Sequence, residues 1–233
     1  MSYVECNNVR KVYEMGEVAV RGADNLSCIM EKGEFVVVNG PSGSGKTTLL
    51  NVLSGIDNVS SGTIKVDDKE ISKLNEKQLE GYRQEEVGIV FQFDNLVPNL
   101  TVLENVEIAK RTCADSLNSE EVIRSLGLAG VMEEFPAQLT AENQQKVAIA
   151  RAIVKKPKLL ICDEPTGDLT CEAGKNILKL LKDAVTNYGI TVIVATHNNE
   201  ICSIANRVIK LSGGNVAEES INNNPVAVDS LSW

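Results

Sequence analysis

Strand-sized apolar runs alternate with stretches of helical period along much of the chain. Phe35-Val36-Val37-Val38 is a β-branched run between Lys32-Gly33 and Gly40-Pro41, and it predicts a buried strand. Lys46 to Leu53 predicts the helix that follows. Gly62 to Asp67 predicts a peripheral strand ending in a polar turn, and Val87 to Phe91 is another short apolar run. From about Thr101 to Ala152 the pattern turns helical. Ser119-Glu120-Glu121-Val122-Ile123 with Leu126 fits an N-capped amphipathic helix, and Gln144 to Val154 a second that Pro157 stops. Leu159-Leu160-Ile161-Cys162 predicts a buried strand. Ala173 to Asn187 predicts a helix with Ile177, Leu180, Leu181 and Ala184 on one face. Gly189 ends it, and Thr191 to Ala195 predicts a strand. This alternation predicts an α/β protein with a mostly parallel sheet covered on both faces. The end of the chain, with Asn222-Asn223-Asn224-Pro225, reads as a peripheral tail.

Composition narrows the function classes. The 233 residues are 43% apolar and 24% charged, an ordinary globular balance that leaves enough apolar mass for a core. The net charge of −9 argues against binding nucleic acid by neutralising phosphates, and against docking on an anionic bilayer through a basic patch. The six cysteines include no C-x-x-C pair, and there is one histidine, so neither a structural zinc site nor a disulfide framework is expected. The N-terminal residues lack an apolar signal segment, and no apolar run nears the length of a membrane span. A cytoplasmic location is expected, with any membrane link running through a protein partner.

Two segments carry chemistry. Gly40-Pro41-Ser42-Gly43-Ser44-Gly45-Lys46-Thr47 matches the phosphate loop G-x-x-x-x-G-K-[ST] between a predicted strand and a predicted helix. Its glycines let the backbone turn N–H groups inward, and the helix N-terminus adds partial positive charge. Lys46 suits the β- and γ-phosphates, and Thr47 suits Mg2+. Leu159-Leu160-Ile161-Cys162-Asp163-Glu164-Pro165 places two carboxylates at the C-terminal end of a buried strand, the edge where parallel sheets bind ligands. Asp163 suits a place in the Mg2+ shell, and Glu164 suits activation of a water.

The ordered set of 40–47, Val90-Phe91-Gln92-Phe93, Leu139 to Ala152, Ile161 to Thr170 and Ala195-Thr196-His197 resembles an ABC-transporter ATP-binding subunit over nearly the whole chain. Phe91 to Val106 resembles the lipoprotein-release and macrolide-export branch of that family. The resemblance implies an ABC-type P-loop NTPase with a RecA-like mixed sheet core, an antiparallel β subdomain and a helical subdomain. The nucleotide-binding core would cover about 1–92 and 154–220, the helical subdomain about 93–153, and the tail about 221–233. It also implies ATP with Mg2+, held by Gly40, Ser42, Gly43, Ser44, Gly45, Lys46, Thr47 and Thr48, with adenine stacked on Tyr13. Mg2+ would be shared by Thr47, Gln92 and Asp163. Glu164 would be the base, Gln92 would contact the attacking water, and His197 would contact the γ-phosphate and hold the site with Glu164. The implied partners are an integral membrane permease and a second ATPase subunit, identical or different, at the inner face of the cell membrane. A soluble ABC ATPase of DNA repair or translation fits less well, given the acidic charge and the absence of a long coiled-coil insertion.

The resemblance also marks two departures. The family's signature Leu-Ser-Gly-Gly-Gln/Glu stands here as Leu139-Thr140-Ala141-Glu142-Asn143. In the family this segment caps the γ-phosphate held by the opposite subunit. Thr140 keeps a hydroxyl, but an ionised Glu142 at ~4 Å from a phosphate charge costs about 4 kcal/mol at an effective dielectric of about 20. That is about a thousandfold in rate if nothing relaxes. The segment Gly167-Asp168-Leu169-Thr170 carries threonine where the family usually has a partner-facing aspartate. Both departures lie on partner-facing surfaces. Two outcomes are therefore expected as alternatives: a hydrolysing export subunit, or an ATP-binding regulatory subunit of weak turnover, paired with an intact ATPase.

Overall fold

The computed structural model describes the chain apart from residues 1, 17, 93, 94, 112 and 114. Phe93 and Asp94, part of the segment behind the resemblance, lie outside the described residues.

The chain opens with a long antiparallel hairpin, β1 (Ser2–Met15) and β2 (Val18–Glu31). The buried strand β3 (Phe35–Asn39) leads through the glycine-rich loop into α1 (Lys46–Leu53). Then come β4 (Ser61–Val66), β5 (Lys69–Glu70), α2 (Glu76–Glu85) and β6 (Val87–Val90). The helical segment holds α3 (Val102–Lys110), α4 (Ser119–Ser125) and α5 (Ala141–Ile153). The remainder is β7 (Leu159–Asp163), α6 (Cys171–Tyr188), β8 (Thr191–Thr196), β9 (Arg207–Ser212) and β10 (Asn215–Ile221).

One sheet has the order β2-β1-β4-β5 and is antiparallel; the other runs β10-β9-β3-β8-β7-β6. In the second sheet β9, β3, β8, β7 and β6 are parallel, and β10 closes one edge antiparallel. Side chains alternate across a strand, so each buried strand feeds two cores. Val36, Val38, Ile161 and Ile193 pack with α1 and the antiparallel sheet. Phe35, Val37, Cys162, Val192 and Val194 pack with α5 and α6. Fully burying a Val or Leu side chain contributes about 1.5–3 kcal/mol, which accounts for the β-branched runs on the central strands.

Four details differ from the sequence pattern. Helix α5 starts at Ala141 rather than Gln144, because Thr140 is its N-cap and accepts the Asn143 N–H at 3.2 Å. Helix α6 starts at Cys171, because Thr170 caps it and accepts the Ala173 N–H at 3.3 Å. On α6 the fully buried positions are Ile177, Leu178, Leu181 and Ala184, and Leu180 is only half-buried. The C-terminal segment is docked as well as peripheral. Val228 and Leu231 are buried, Asp229 pairs with Lys179 at 2.5 Å, and the Trp233 ring lies over Gly174 of α6.

Candidate functional site

The parallel strands end together, and their C-terminal edge assembles the site. The phosphate loop leaves β3, Gln92 follows β6, Asp163 and Glu164 end β7, and His197 follows β8. These residues line one open cavity of about 700 Å3 with Tyr13, Pro41, Ser42, Gly43, Gly45, Lys46, Thr47 and Thr48.

The loop is preset for an anion. Gly45 precedes α1 with φ 102°, a left-handed conformation, and a Cβ there would strike the Gly22 carbonyl. Helix α1 therefore starts with no side-chain cap. Among the described residues, the backbone N–H groups of Gly43, Gly45, Lys46 and Thr47 have no protein acceptor. Lys46 is buried, and its Nζ donates to the carbonyls of Gly40 at 2.8 Å and Pro41 at 3.2 Å. Ser44 Oγ is buried beneath the loop with no hydrogen-bond partner. Gly40 and Ser44 shape the loop without lining the cavity.

The acidic pair is divided by its contacts. Thr47 Oγ1 donates to Asp163 Oδ2 at 2.7 Å. Burial pushes the Asp163 carboxyl above the ordinary carboxylate range, and the Thr47 hydrogen bond opposes that shift. Glu164 adopts φ 46°, in the left-handed region that costs a non-glycine residue about 1–3 kcal/mol. Its N–H is fixed to the Ala195 carbonyl at 2.9 Å, and its Oε1 lies 2.9 Å from His197 Nδ1 and 3.8 Å from Lys46 Nζ. The Glu164 side chain is only 11% exposed and that of His197 67%, so the imidazole screens the carboxylate on the solvent side. The donors that would hold Mg2+ are a hydroxyl, a carboxylate and the amide of Gln92. Such hard oxygen donors suit Mg2+ and leave positions for phosphate and water.

Tyr13 also lines the cavity, beside Thr48. Lys11 Nζ sits over its ring, 5.0 Å from the centroid, and is itself held by Asp57 and by the Asn58 carbonyl at 2.8 Å. Thr48 and Asp57 flank its hydroxyl, and partial burial raises its pKa. The ring has room because Gly22 bears no side chain; a Cβ there would lie 2.7 Å from Tyr13 and 2.5 Å from Thr48.

Thr140 and Glu142 do not line this cavity. Thr140 spends its hydroxyl on the α5 cap. The Glu142 carboxylate accepts from Lys146 at 2.8 Å and Asn176 at 3.1 Å, and Lys146 draws its pKa below the ordinary value. The expected repulsion from a bare carboxylate therefore overstates the charge that Glu142 presents. Thr170 likewise serves as a cap. Sequence reasoning missed Val20, Arg21 and Gly22 of β2, and gave Gly167 and Asp168 no role of their own, yet all five line the cavity. The β2 residues follow no motif, and their role arises only from how the hairpin folds over the loop.

Comparison with known proteins identifies the family. The ABC transporter family profile matches residues 23–167. A putative ABC transporter ATP-binding protein of Mycoplasma pneumoniae is 37% identical over 99% of this chain and 50% of its own length. The macrolide export ATP-binding/permease protein MacB of Mannheimia succiniciproducens is 36% identical over 94% of this chain and 35% of its own. The chain thus spans about half the length of the Mycoplasma relative and about a third of MacB. An uncharacterized ABC transporter ATP-binding protein of Methanocaldococcus jannaschii is 36% identical, covering 93% of this chain and 96% of its own. The solved dimeric structure of that archaeal cassette, in a post-hydrolysis state bound to ADP and Pi, superposes with a TM-score of 0.87 at 34% identity, over 95% of this chain and 99% of the cassette. The chain belongs to the ABC transporter family and has the fold of its ATP-binding cassettes.

Proposed function

We propose that this chain binds ATP with Mg2+ in the cavity, hydrolyses it, and powers a membrane export permease of the lipoprotein-release or macrolide-export type. The observation that carries the reading is the shared Glu164 Oε1, poised between His197 Nδ1 at 2.9 Å and Lys46 Nζ at 3.8 Å. A carboxylate so held can accept a proton from water as that water attacks the γ-phosphorus in line. His197 fixes the orientation of the carboxylate. Lys46 would exchange its loop carbonyls for phosphate oxygens, and the open N–H groups at the start of α1 would bind the β- and γ-phosphates. Thr47, Asp163 and Gln92 would hold Mg2+, which supplies charge neutralisation on the phosphates. Tyr13, fixed by Lys11, would stack on adenine.

The relatives named as MacB support the export branch, and the dimeric cassette supports a two-subunit assembly, which the permease would hold at the inner face of the cell membrane. Among the described residues, no helix is long and apolar enough to cross a membrane. A regulatory subunit with weak turnover, paired with a different ATPase, is the second reading, and the residues Thr140, Ala141, Glu142 and Thr170 motivate it. The pairing of Glu142 with Lys146 and Asn176 favours the hydrolysing reading. The two separate on steady-state Mg-ATP hydrolysis by the wild type and by a Ser-Gly-Gly replacement at 140–142. A substantial rate that the replacement leaves unchanged or lowers supports the hydrolysing subunit. A negligible rate that the replacement restores supports the regulatory one.

A further inference from the structure

Glu142 reaches beyond its own helix. Its Oε1 is the meeting point of two donors from two elements: Lys146 Nζ, one turn on in α5, at 2.8 Å, and Asn176 Nδ2 of α6 at 3.1 Å. The Lys146 and Glu142 side chains are 16% and 26% exposed, so the pair is shielded more than an ordinary surface ion pair. Helix α5 packs with α3 and α4 in the helical segment. Helix α6 continues from Glu164 through Pro165, Thr166, Gly167, Asp168 and Leu169 to its cap Thr170. The carboxylate therefore joins the helix that carries Thr140 to the helix that continues from the base. An isolated pair four residues apart would need Lys146 alone. The Asn176 bond adds a cross-link between the helical segment and the core, and an acidic first-turn residue also suits the α5 N-terminus.

We propose that Glu142 is a positioning residue: its bridge to Lys146 and Asn176 fixes the first turn of α5 on α6, and so sets the orientation of the segment 139–143 relative to Glu164. The side chain that departs from the family pattern acts as a strut. The kinetic consequence rests on the ATPase reading above, whereas the structural consequence does not.

The test uses the full chain with Glu142→Ala, Asn176→Ala and the conservative Glu142→Gln. Amide hydrogen exchange over residues 141–146 is followed without nucleotide, and kcat and KM are measured with Mg-ATP. Glu142→Ala and Asn176→Ala should each speed exchange in that turn by about tenfold. They should lower kcat about fivefold, with KM within about twofold, because Glu142 does not line the chain's own cavity. Glu142→Gln keeps an oxygen for Asn176 and should recover most of both losses. A kcat that rises in Glu142→Ala would show the carboxylate to be an obstruction and overturn the proposal. Unchanged exchange in both alanine variants would overturn it too. A wild type without hydrolysis would refute the ATPase reading instead, and the exchange result would then decide the strut by itself.

Discussion

His197 Nδ1 lies 2.9 Å from Glu164 Oε1, so the only histidine of the chain is spent on the carboxylate that the proposed function makes the base. Glu164 is held from three sides: by its N–H on Ala195, by Lys46, and by this imidazole. Removing the ring in His197→Ala frees the carboxylate to swing into solvent. General-base catalysis contributes about 10²–10⁴-fold in rate, and loss of orientation should forfeit a substantial part of it. We expect kcat to fall at least tenfold with little change in ATP affinity, measured by steady-state hydrolysis and by equilibrium binding.

On the proposed function Lys46 has two roles, and one substitution probes both. Its ammonium ties the carbonyls of Gly40 and Pro41, so Lys46→Met should lower the thermal midpoint even without nucleotide. Hydrogen bonds to a charged group contribute about 1.5–3 kcal/mol each. Loss of the phosphate contact should therefore weaken ATP binding by about 10- to 150-fold. Scanning calorimetry reads the first effect and titration calorimetry the second.

The phosphate loop and the acidic strand end were legible in the sequence because each is a contiguous run whose chemistry depends on local spacing. The central strands were legible because burial on both faces demands unbroken β-branched runs, as at Val36 to Val38. The hairpin β1–β2 was not resolved into strands, since its alternation is interrupted by register shifts and by exposed Val18 and Val20. The starts of α5 and α6 were missed because threonine hydroxyls cap them, and the same threonines were weighed only as partner contacts. Glu142 looked like an unscreened charge. One of its two partners, Asn176, is 34 residues away in sequence and becomes a neighbour only when α5 meets α6.

Tyr13 should act on the base alone. Stacking on an aromatic ring contributes about 1–3 kcal/mol per base, so Tyr13→Ala should weaken ATP by about 5- to 150-fold. Inorganic tripolyphosphate, which has no base, should bind both proteins alike. Lys11→Met removes the cation over the ring and should give a smaller loss in the same direction. Competition against a fluorescent ATP analogue measures every combination.

Glu142 also gives a pH signature. Lys146 holds its folded pKa below the ordinary carboxylate value, so its stabilisation is fully present above the unfolded pKa and is lost as pH falls through the folded one. The pair is partly exposed, and screening keeps its contribution below about 1 kcal/mol. Glu142→Gln should therefore be less stable than the wild type at neutral pH, and the difference should shrink at a pH below the ordinary carboxylate range. Urea denaturation at the two pH values checks it.

The central claim is that Glu164 activates water on ATP held by the phosphate loop, and the most direct measurement is phosphate release by Glu164→Gln beside its ATP affinity. Glutamine preserves the size of the side chain and removes the base. The account predicts that phosphate release falls at least about a hundredfold while ATP still binds within about threefold of the wild type. Release at the wild-type rate in Glu164→Gln would contradict it and place the base elsewhere.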